Sequence, residues 1–356
     1  MVRRRVTMQD IADACGLSRN TVSKVFNSRG SVPEATQRFV LDKAKELGYN
    51  QFSETEARAA SSANIVILTH SKPMNNSFGS SVISSFSDCL CRDGFNLKMY
   101  GVSSQELENR KLPPFLDPER IDGILCIELF DKDYMEMICS LGLPTVCIDA
   151  FASISFCQMN CDFVSMENVS SSILLTRRLI AAGASTIGFV GDITHCSSFR
   201  ERYDGFILAL NEAHIPFERS FCILDNDSEP YGNPDWYLEK LDLMPHLPDA
   251  FVCANDFQAI NLMTGLKKRG IDIPEEVMVV GFDGTPESSV SEPSLSTAFI
   301  PGDTIGRLAA ETLESRIKNP DLPYCRIYVR TNPVFRNSTR EPVNYSAIEL
   351  PEHRGV

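Results

Sequence analysis

Two short helices separated by a glycine are predicted within residues 7–27, and this pattern determines what the front of the chain can fold into. Thr7 and Ser18 are residue types that cap helix N-termini, and Gly16 between them supplies the turn. The apolar residues recur at helical spacing and are Ile11, Ala12 and Cys15 in the first helix and Val22, Val25 and Phe26 in the second. Two such helices joined by a glycine turn are typical of a helix-turn-helix.

The second helix carries polar residues on the side opposite its apolar face. They cluster toward its N-terminal end, where a recognition helix meets base edges in the major groove. Arg and Lys donate to guanine and Asn pairs with adenine; the residues concerned are Arg19, Asn20 and Lys24. Hydroxyl groups suit phosphate oxygens and are carried by Thr7, Ser18, Thr21 and Ser23. Because any amphipathic helix has a polar side, the spacing alone also allows an ordinary solvated face.

The pattern extends well beyond the two helices. It comprises the runs Thr7 to Ala12, Gly16 to Ser18, Thr21 to Asn27, Val32 to Thr36 and Lys45 to Tyr49. With these runs, residues 1–50 resemble the DNA-binding headpiece of the LacI/GalR family of bacterial transcription regulators. The resemblance implies base contacts from Arg19, Asn20 and Lys24, and further DNA contacts from Asn27, Thr36 and Tyr49. It also implies a third helix over 32–47, with Thr36, Phe39, Val40 and Leu47 facing the other two.

Charge is divided unevenly along the chain. Residues 1–50 hold nine Lys and Arg against five Asp and Glu, a net charge of +4, whereas all 356 residues together carry −13. The remaining residues therefore carry −17. A basic unit on an acidic body confines the attraction for phosphates to one end of the chain. We expect affinity for duplex DNA to fall steeply with added salt.

Residues 51–63 are small and polar, which indicates a linker with some helical tendency. In the LacI/GalR family this position holds a hinge helix that folds on DNA and inserts a leucine into the minor groove. Here Arg58, or Ala60 after a two-residue shift, takes the place of that leucine, and Glu54 and Glu56 would lie near phosphates. Two alternatives stay open: Arg58 inserts into the minor groove, or the segment is a plain tether.

From Ile65 onward, short apolar runs alternate with amphipathic helical stretches. This alternation is typical of parallel sheets covered by helices on both faces. The predicted strands are 65–68, 95–100, 121–127, 145–148, 186–190, 222–224, 250–253 and 277–282. The length of this part of the chain suits two α/β lobes.

Several runs in this part resemble the core of the same family. They include Ile121 to Leu125, Arg202 to Phe206, Pro248 to Asp256, Val279 to Asp283 and Pro293 to Thr297. The resemblance implies an α/β core like the type I periplasmic binding proteins, with two doubly wound lobes and a ligand cleft between them, behind the all-α headpiece. It implies a domain at 64–340, with an N-lobe at about 64–162 and 296–324, a C-lobe at about 163–295 and 325–340, and a tail at 341–356.

Polar residues follow the predicted strands at the edge where open α/β sheets bind ligands. Asn255 and Asp283 each follow a strand, and Arg202 lies just beyond 186–190. Amide, carboxylate and guanidinium groups placed together bind sugar hydroxyls. The resemblance implies effector contacts from these three residues and from Ser77, Phe78 and Ser198, with Tyr231 or Trp236 as an aromatic platform.

Three of these residues have a purely structural alternative. Trp236 is also suited to begin a helix and cover the core, and Asp283 precedes Gly284 and is suited to a turn. Arg202 has Glu201 and Asp204 close by in sequence, and such a surface pair would contribute little.

The sequence argues against an enzyme and against a metal site. It has no GxxxxGK[ST], GxGxxG, HExxH or GxSxG motif. Its twelve cysteines and five histidines are scattered without CxxC or HxxxH spacing, so we expect no metal, disulfide or cofactor. A sugar-binding protein of an uptake system would share the core fold, but it would need a signal peptide and no headpiece.

We therefore expect a cytoplasmic homodimer that represses transcription and responds to a small molecule, most simply a sugar or sugar derivative. Two headpieces would bind the half-sites of a near-palindromic operator. Effector in the cleft would change the angle between the lobes, and a predicted helix at 303–317 would contribute to the dimer. The tail from Glu341 has no leucine heptads, and the chain has no apolar run of membrane-spanning length.

Overall fold

The computed structural model describes residues 7–27, 32–47, 63–71, 77–153 and 156–343. By its contacts the chain separates into two units, residues 1–63 and residues 64–356. Within the described residues, no helix is both long and apolar enough to cross a membrane.

The first unit contains three helices, α1 (Met8–Cys15), α2 (Arg19–Asn27) and α3 (Glu34–Leu47). Thr7 caps α1 by a reciprocal pair of bonds, because its hydroxyl accepts from the Asp10 N–H and the Asp10 carboxylate accepts from the Thr7 N–H. Gly16 ends α1 with a φ of +66°. The Ser18 hydroxyl accepts from the Thr21 N–H at 3.0 Å and so caps α2. The helix-turn-helix prediction is confirmed.

The buried residues of this unit differ in part from those predicted. The fully enclosed side chains are Ile11, Ala12, Val22, Val40 and Ala44. Phe39 and Leu47 were expected to face α1 and α2, but they are 52% and 38% exposed. The buried stripe of α3 runs through Val40 and Ala44, four residues apart, and Phe39 lies one position away from it. Thr36 is half-buried, and α3 begins at Glu34 instead of residue 32.

The second unit begins with a six-stranded parallel sheet, which we call the N-lobe sheet. Its strands are β1 (Asn64–His70), β2 (Asn96–Val102), β3 (Gly123–Ile127), β4 (Thr145–Ile148), β5 (Asp162–Met166) and β10 (Arg326–Val329), in the order β10-β5-β4-β3-β1-β2. Its helices are α4 (Ser77–Arg92), α5 (Ser104–Asn109), α6 (Lys132–Ser140) and α12 (Gly302–Lys318). Strands β3, β4 and β5 are buried throughout, as expected for a sheet covered on both faces.

A second parallel sheet, the C-lobe sheet, consists of β6 (Ile187–Val190), β7 (Ala250–Cys253) and β8 (Met278–Val280). Its helices are α7 (Val169–Ala181), α8 (Ser197–Glu212), α9 (Pro234–Asp242), α10 (Asp256–Lys268) and α11 (Pro286–Val290). A two-stranded antiparallel ribbon of β9 (Thr297–Phe299) and β11 (Asn332–Val334) completes the unit. The predicted α/β core with parallel sheets is confirmed.

Two details depart from the predicted organisation. Strands β5 and β10 pair with each other in the N-lobe sheet, with Phe163 opposite Arg326, so this sheet extends to Met166 and Val329, slightly beyond the lobe boundaries expected at about 162 and 325. The segment 222–224 forms no strand; Ile223 makes a single bridge to Val190. A short 3-10 turn at Arg219–Phe221 precedes it.

Candidate functional site

A cavity of about 340 Å³ lies in the second unit, at the carboxyl ends of strands from both sheets. From the N-lobe sheet, the chain reaches it at the ends of β1, β3, β4 and β5. From the C-lobe it is reached by the first two turns of α8 and by the residues after β7 and β8. This is the position at which parallel α/β sheets bind ligands.

Arg202, on α8, is only 3% exposed and is held by the protein on several sides. Its Nε donates to Asn168 Oδ1 at 3.0 Å, and its Nη1 donates to the Ala254 carbonyl oxygen at 2.6 Å and to Asp283 Oδ1 at 3.3 Å. The guanidinium carbon lies 3.9 Å from the ring centroid of Phe282. A planar cation fixed in this way presents a constant geometry to a ligand.

The alternative in which Arg202 forms a surface ion pair with Glu201 or Asp204 is therefore wrong. Asp204 pairs with Arg200, and Glu201 pairs with Arg326 at 3.0 Å. Helix α8 turns Arg202 toward the C-lobe sheet, because its neighbours Phe199 and Phe206 are buried on the same side of the helix.

Asp283 follows β8 with a φ of +118°, and its side chain is about one-tenth exposed. Burial raises the pKa of Asp283 to about 7, although the adjacent Arg202 opposes the rise. Burial also raises the pKa of the neighbouring Asp256 to about 6, against hydrogen bonds from Thr297 and Thr285. The charge of Asp256 adds to the rise in the pKa of Asp283.

Asn255 and Ser198 line the cavity and also serve the protein's own structure. Asn255 caps α10, since its Oδ1 accepts from the Gln258 N–H at 2.9 Å. The Ser198 hydroxyl donates to the carboxylate of Asp149, and the Ser197 hydroxyl donates to Asp149 Oδ1 at 2.6 Å. Asp149 directly follows β4 in the N-lobe, whereas both serines begin α8 in the C-lobe. These bonds link the two lobes across the cavity.

The predicted aromatic platform is placed elsewhere by the structure. Tyr231 and Trp236 are 3% and 7% exposed and pack edge to face in a core of the C-lobe, with ring centroids 4.8 Å apart. The Tyr231 hydroxyl donates to the Asp225 carbonyl oxygen. Neither ring lines the cavity, so neither can stack on a ligand there. Trp236 instead lies in the first turn of α9 and packs in the core, which is the structural alternative considered for it.

Other aromatic rings line the cavity instead. Phe78, as predicted, lies at the start of α4, where Ser77 is the first helical residue. Phe130 lies edge-on to His195 with centroids 4.8 Å apart, and Phe199 lies 5.5 Å from the same imidazole. His195 Nδ1 is 3.6 Å from Asp227 Oδ2. These rings offer flat apolar faces to a ligand.

Sequence reasoning missed several acidic residues of the lining. Glu128, Asp131, Asp149 and Asp227 all contribute to the cavity wall. Glu128 and Asp149 come directly after predicted strands, which is the signal that found Asn255 and Asp283. Asp227 and His195 belong to loops, and no strand or motif marked them.

In the first unit, Arg19 and Lys24 are exposed on α2. The hydroxyls of Thr7, Ser18 and Thr21 take part in the caps of α1 and α2. Asn20, Ser23 and Asn27 belong to α2 by their backbone, and Thr36 lies on α3. The predicted contacts Tyr49 and Arg58 lie outside the described residues. Both cationic side chains that were assigned to base contacts, those of Arg19 and Lys24, are therefore exposed to solvent.

Comparisons with known protein families find one match in the first unit and one in the second. The family described as bacterial regulatory proteins, lacI family, matches residues 7–51. A periplasmic binding protein-like domain matches residues 176–339. The HTH-type transcriptional repressor PurR of Haemophilus influenzae (strain PittEE) is 26% identical over 343 residues, covering 94% of this chain and 98% of that protein.

Two solved structures have the same fold. The transcriptional regulator CelR in its cellobiose complex superposes with a TM-score of 0.67 at 24% identity, covering 94% of this chain and all of that one. The lac repressor dimer bound to operator and the anti-inducer ONPF gives a TM-score of 0.66 at 20% identity, covering 94% and 99%.

Proposed function

The chain belongs to the LacI/GalR family of bacterial transcription regulators, and on that premise we propose that it represses transcription under the control of a small molecule bound in the cavity. Its relatives are transcriptional repressors and not enzymes. We divide the chain into a headpiece at 1–50, a linker at 51–63, an effector-binding domain at 64–340 and a C-terminal tail. Binding to chromosomal DNA places the protein in the cytoplasm.

The described part of the headpiece supports sequence-specific binding to duplex DNA. Its helices form a buried core, and α2 exposes Arg19 in its first turn and Lys24 in its last turn. An α-helix fits the major groove, and a bidentate Arg reads guanine there. The hydroxyls at Thr7, Ser18 and Thr21 would contact phosphates, and Arg58 would contact the minor groove.

The second unit supports binding of a hydroxyl-bearing effector, most simply a carbohydrate. Asp283 accepts hydrogen bonds, the amide of Asn255 donates and accepts, and Arg202 donates. Phe78 and Phe199 supply apolar faces that suit the C–H face of a sugar ring. The structural relative CelR is described as a cellobiose complex, which agrees with a carbohydrate as effector.

The effector would act on the contact between the lobes. Asp149 of the N-lobe and Ser198 of the C-lobe both line the cavity and are joined by a hydrogen bond, so a ligand held between them changes the contact between the two lobes. We infer that the resulting movement alters the distance between two tethers in a homodimer, since one of the structural relatives is a dimer on its operator. Coupling of this kind is typically about 1–3 kcal/mol.

The observation that carries the proposal is a cavity lined from both lobes by polar groups and aromatic rings, in a chain that also bears an exposed pair of cations on a helix-turn-helix. The test begins with selection of duplexes from a random pool by the full-length protein. Anisotropy titrations with a selected duplex follow, with and without a panel of sugars. A selected consensus and a sugar-dependent change in Kd support the proposal. Retention of all duplexes alike would contradict it.

A further inference from the structure

The cavity also indicates the charge of the molecule it takes. Resting on the proposed function, we propose that the effector carries no phosphate or carboxylate group and is a neutral or cationic molecule bound through hydroxyl or amine donors. The proposal deepens the assignment of the cavity and concerns its selectivity against anions.

The first support is the balance of charge in the wall. Among the residues that the structure describes, five carboxyl groups line the cavity, those of Glu128, Asp131, Asp149, Asp227 and Asp283. Among the described residues of the wall, Arg202 is the only Arg or Lys, and Asp283 lies against it at 3.3 Å. His195 offsets Asp227 only when its imidazole is protonated. The wall is therefore acidic, and an anionic ligand would add like charge at short range.

The second support is that protein carboxylates already take the groups that would otherwise bind an anion. Phosphates and carboxylates bind to backbone N–H groups, to hydroxyls at helix N-termini and to unpaired guanidinium groups. At the start of α8 the hydroxyls of Ser197 and Ser198 both donate to Asp149. Asp149 Oδ1 also accepts from the Ala150 N–H at 2.7 Å.

The third support is that the cavity solvates negative charge poorly. Burial raises the pKa of both Asp227 and Asp283, although the His195 imidazole opposes the rise at Asp227 and the Arg202 guanidinium opposes it at Asp283. A further anion at the same place would face the same loss of solvation. A hydroxyl or ammonium group would instead supply donors to these oxygens.

The test uses full-length protein and a bacterial metabolite extract separated by anion exchange into a non-anionic and an anionic pool. We expect the non-anionic pool to raise Tm and the anionic pool to have at least tenfold less effect at equal dilution. A rise with the anionic pool alone overturns this inference and leaves the proposed function standing. No rise with either pool contradicts the proposed function and this inference together.

A matched pair of variants tests the part played by the wall charge. Asp227→Asn removes one lining charge, whereas Asp204→Asn removes an exposed charge on α8 outside the cavity. Defined probes on one scaffold are glucose, glucosamine and glucose 6-phosphate, used alongside the two pools. The quantity compared is the rise in Tm with the anionic pool divided by the rise with the non-anionic pool. We expect this ratio to increase at least threefold in Asp227→Asn and to stay unchanged in Asp204→Asn. An unchanged ratio in both variants overturns the inference that the carboxylates of the cavity wall exclude anions.

Discussion

Arg202 and Asp283 form a hydrogen-bonded ion pair inside the cavity, with Nη1 and Oδ1 3.3 Å apart and the arginine side chain 4% exposed. Arg202 offsets only part of the cost of burying the Asp283 carboxylate, since burial still raises the pKa of Asp283 to about 7, and either charge alone would be buried without compensation. It also fixes the direction in which both groups face the ligand. Under the proposed function, stability and effector recognition would depend on the same two side chains.

Removal of the arginine should destabilise the second unit. We expect Arg202→Met to lower the free energy of unfolding by about 3–5 kcal/mol, since Asp283 and the Ala254 carbonyl lose their donor. Arg200→Met is the control on the same helix, where an exposed pair with Asp204 is lost, and we expect a change within about 0.5 kcal/mol. Urea unfolding of both variants measures the difference. Equal losses would show that Arg202 is not held as described.

Removal of the carboxylate should abolish the effector response. We expect Asp283→Ala to lose the rise in Tm with the active metabolite pool while operator affinity without effector stays within about twofold of wild type, a difference of about 0.4 kcal/mol. Asp204→Ala, outside the cavity, should keep both properties. A normal rise in Tm in Asp283→Ala would place the effector elsewhere.

The raised pKa values predict a pH dependence of stability. Asp283 has a pKa of about 7 in the folded chain against 3.8 ordinarily, so the folded state binds more protons between these values. Its contribution to stability is complete below about pH 4 and is lost as the pH rises through 7. The free energy of unfolding of the wild type should fall across this window, by up to about 1.4 kcal/mol per pH unit for one proton.

Asp283→Asn supplies the comparison, because it removes this proton and leaves the other titrating groups in place. The difference in stability between wild type and variant should shrink or reverse from pH 5 to pH 8. Asp256, with a pKa of about 6, contributes with the same sign and remains in both proteins. A difference that is constant with pH would mean that Asp283 titrates normally.

Substitution at the exposed end of α2 should change base preference. We expect Arg19→Ala to cost about 1–3 kcal/mol at one position of the selected operator and to relax the choice of base there. Arg38→Ala removes an equal charge from the exposed side of α3 and should weaken all duplexes about alike. Competition titrations with single-base operator variants distinguish the two results. A uniform loss for Arg19→Ala would reduce its role to phosphate contact.

Much of the fold was predictable because each element is marked locally. Thr7, Gly16 and Ser18 mark the ends of α1 and α2, and the continuous apolar runs of β3, β4 and β7 mark buried parallel strands. Lobe boundaries were less predictable, since β5 and β10 pair over a separation of more than 160 residues. No local signal states which sheet such a strand joins.

One local rule found part of the cavity, namely that a polar residue shortly after a strand lines it, whereas Phe78 and Ser198 were expected from the family resemblance alone. Asn255 and Asp283 satisfy that rule, as does Asp149, which was overlooked. The positions of Tyr231 and Trp236 gave no comparable signal, because an aromatic ring in a loop or at a helix start packs in a core as readily as in a cavity. The roles of His195 and Asp227 depend on the path of loops, which the sequence does not encode locally.

The most direct measurement of the central claim is the Kd of full-length protein for its selected operator, determined by anisotropy with and without a saturating amount of the active metabolite pool. The account predicts a change of about 5- to 150-fold in wild type and none in Asp283→Ala. An operator Kd that is the same with and without the pool, in a protein whose Tm the pool raises, would contradict control of DNA binding from the cavity.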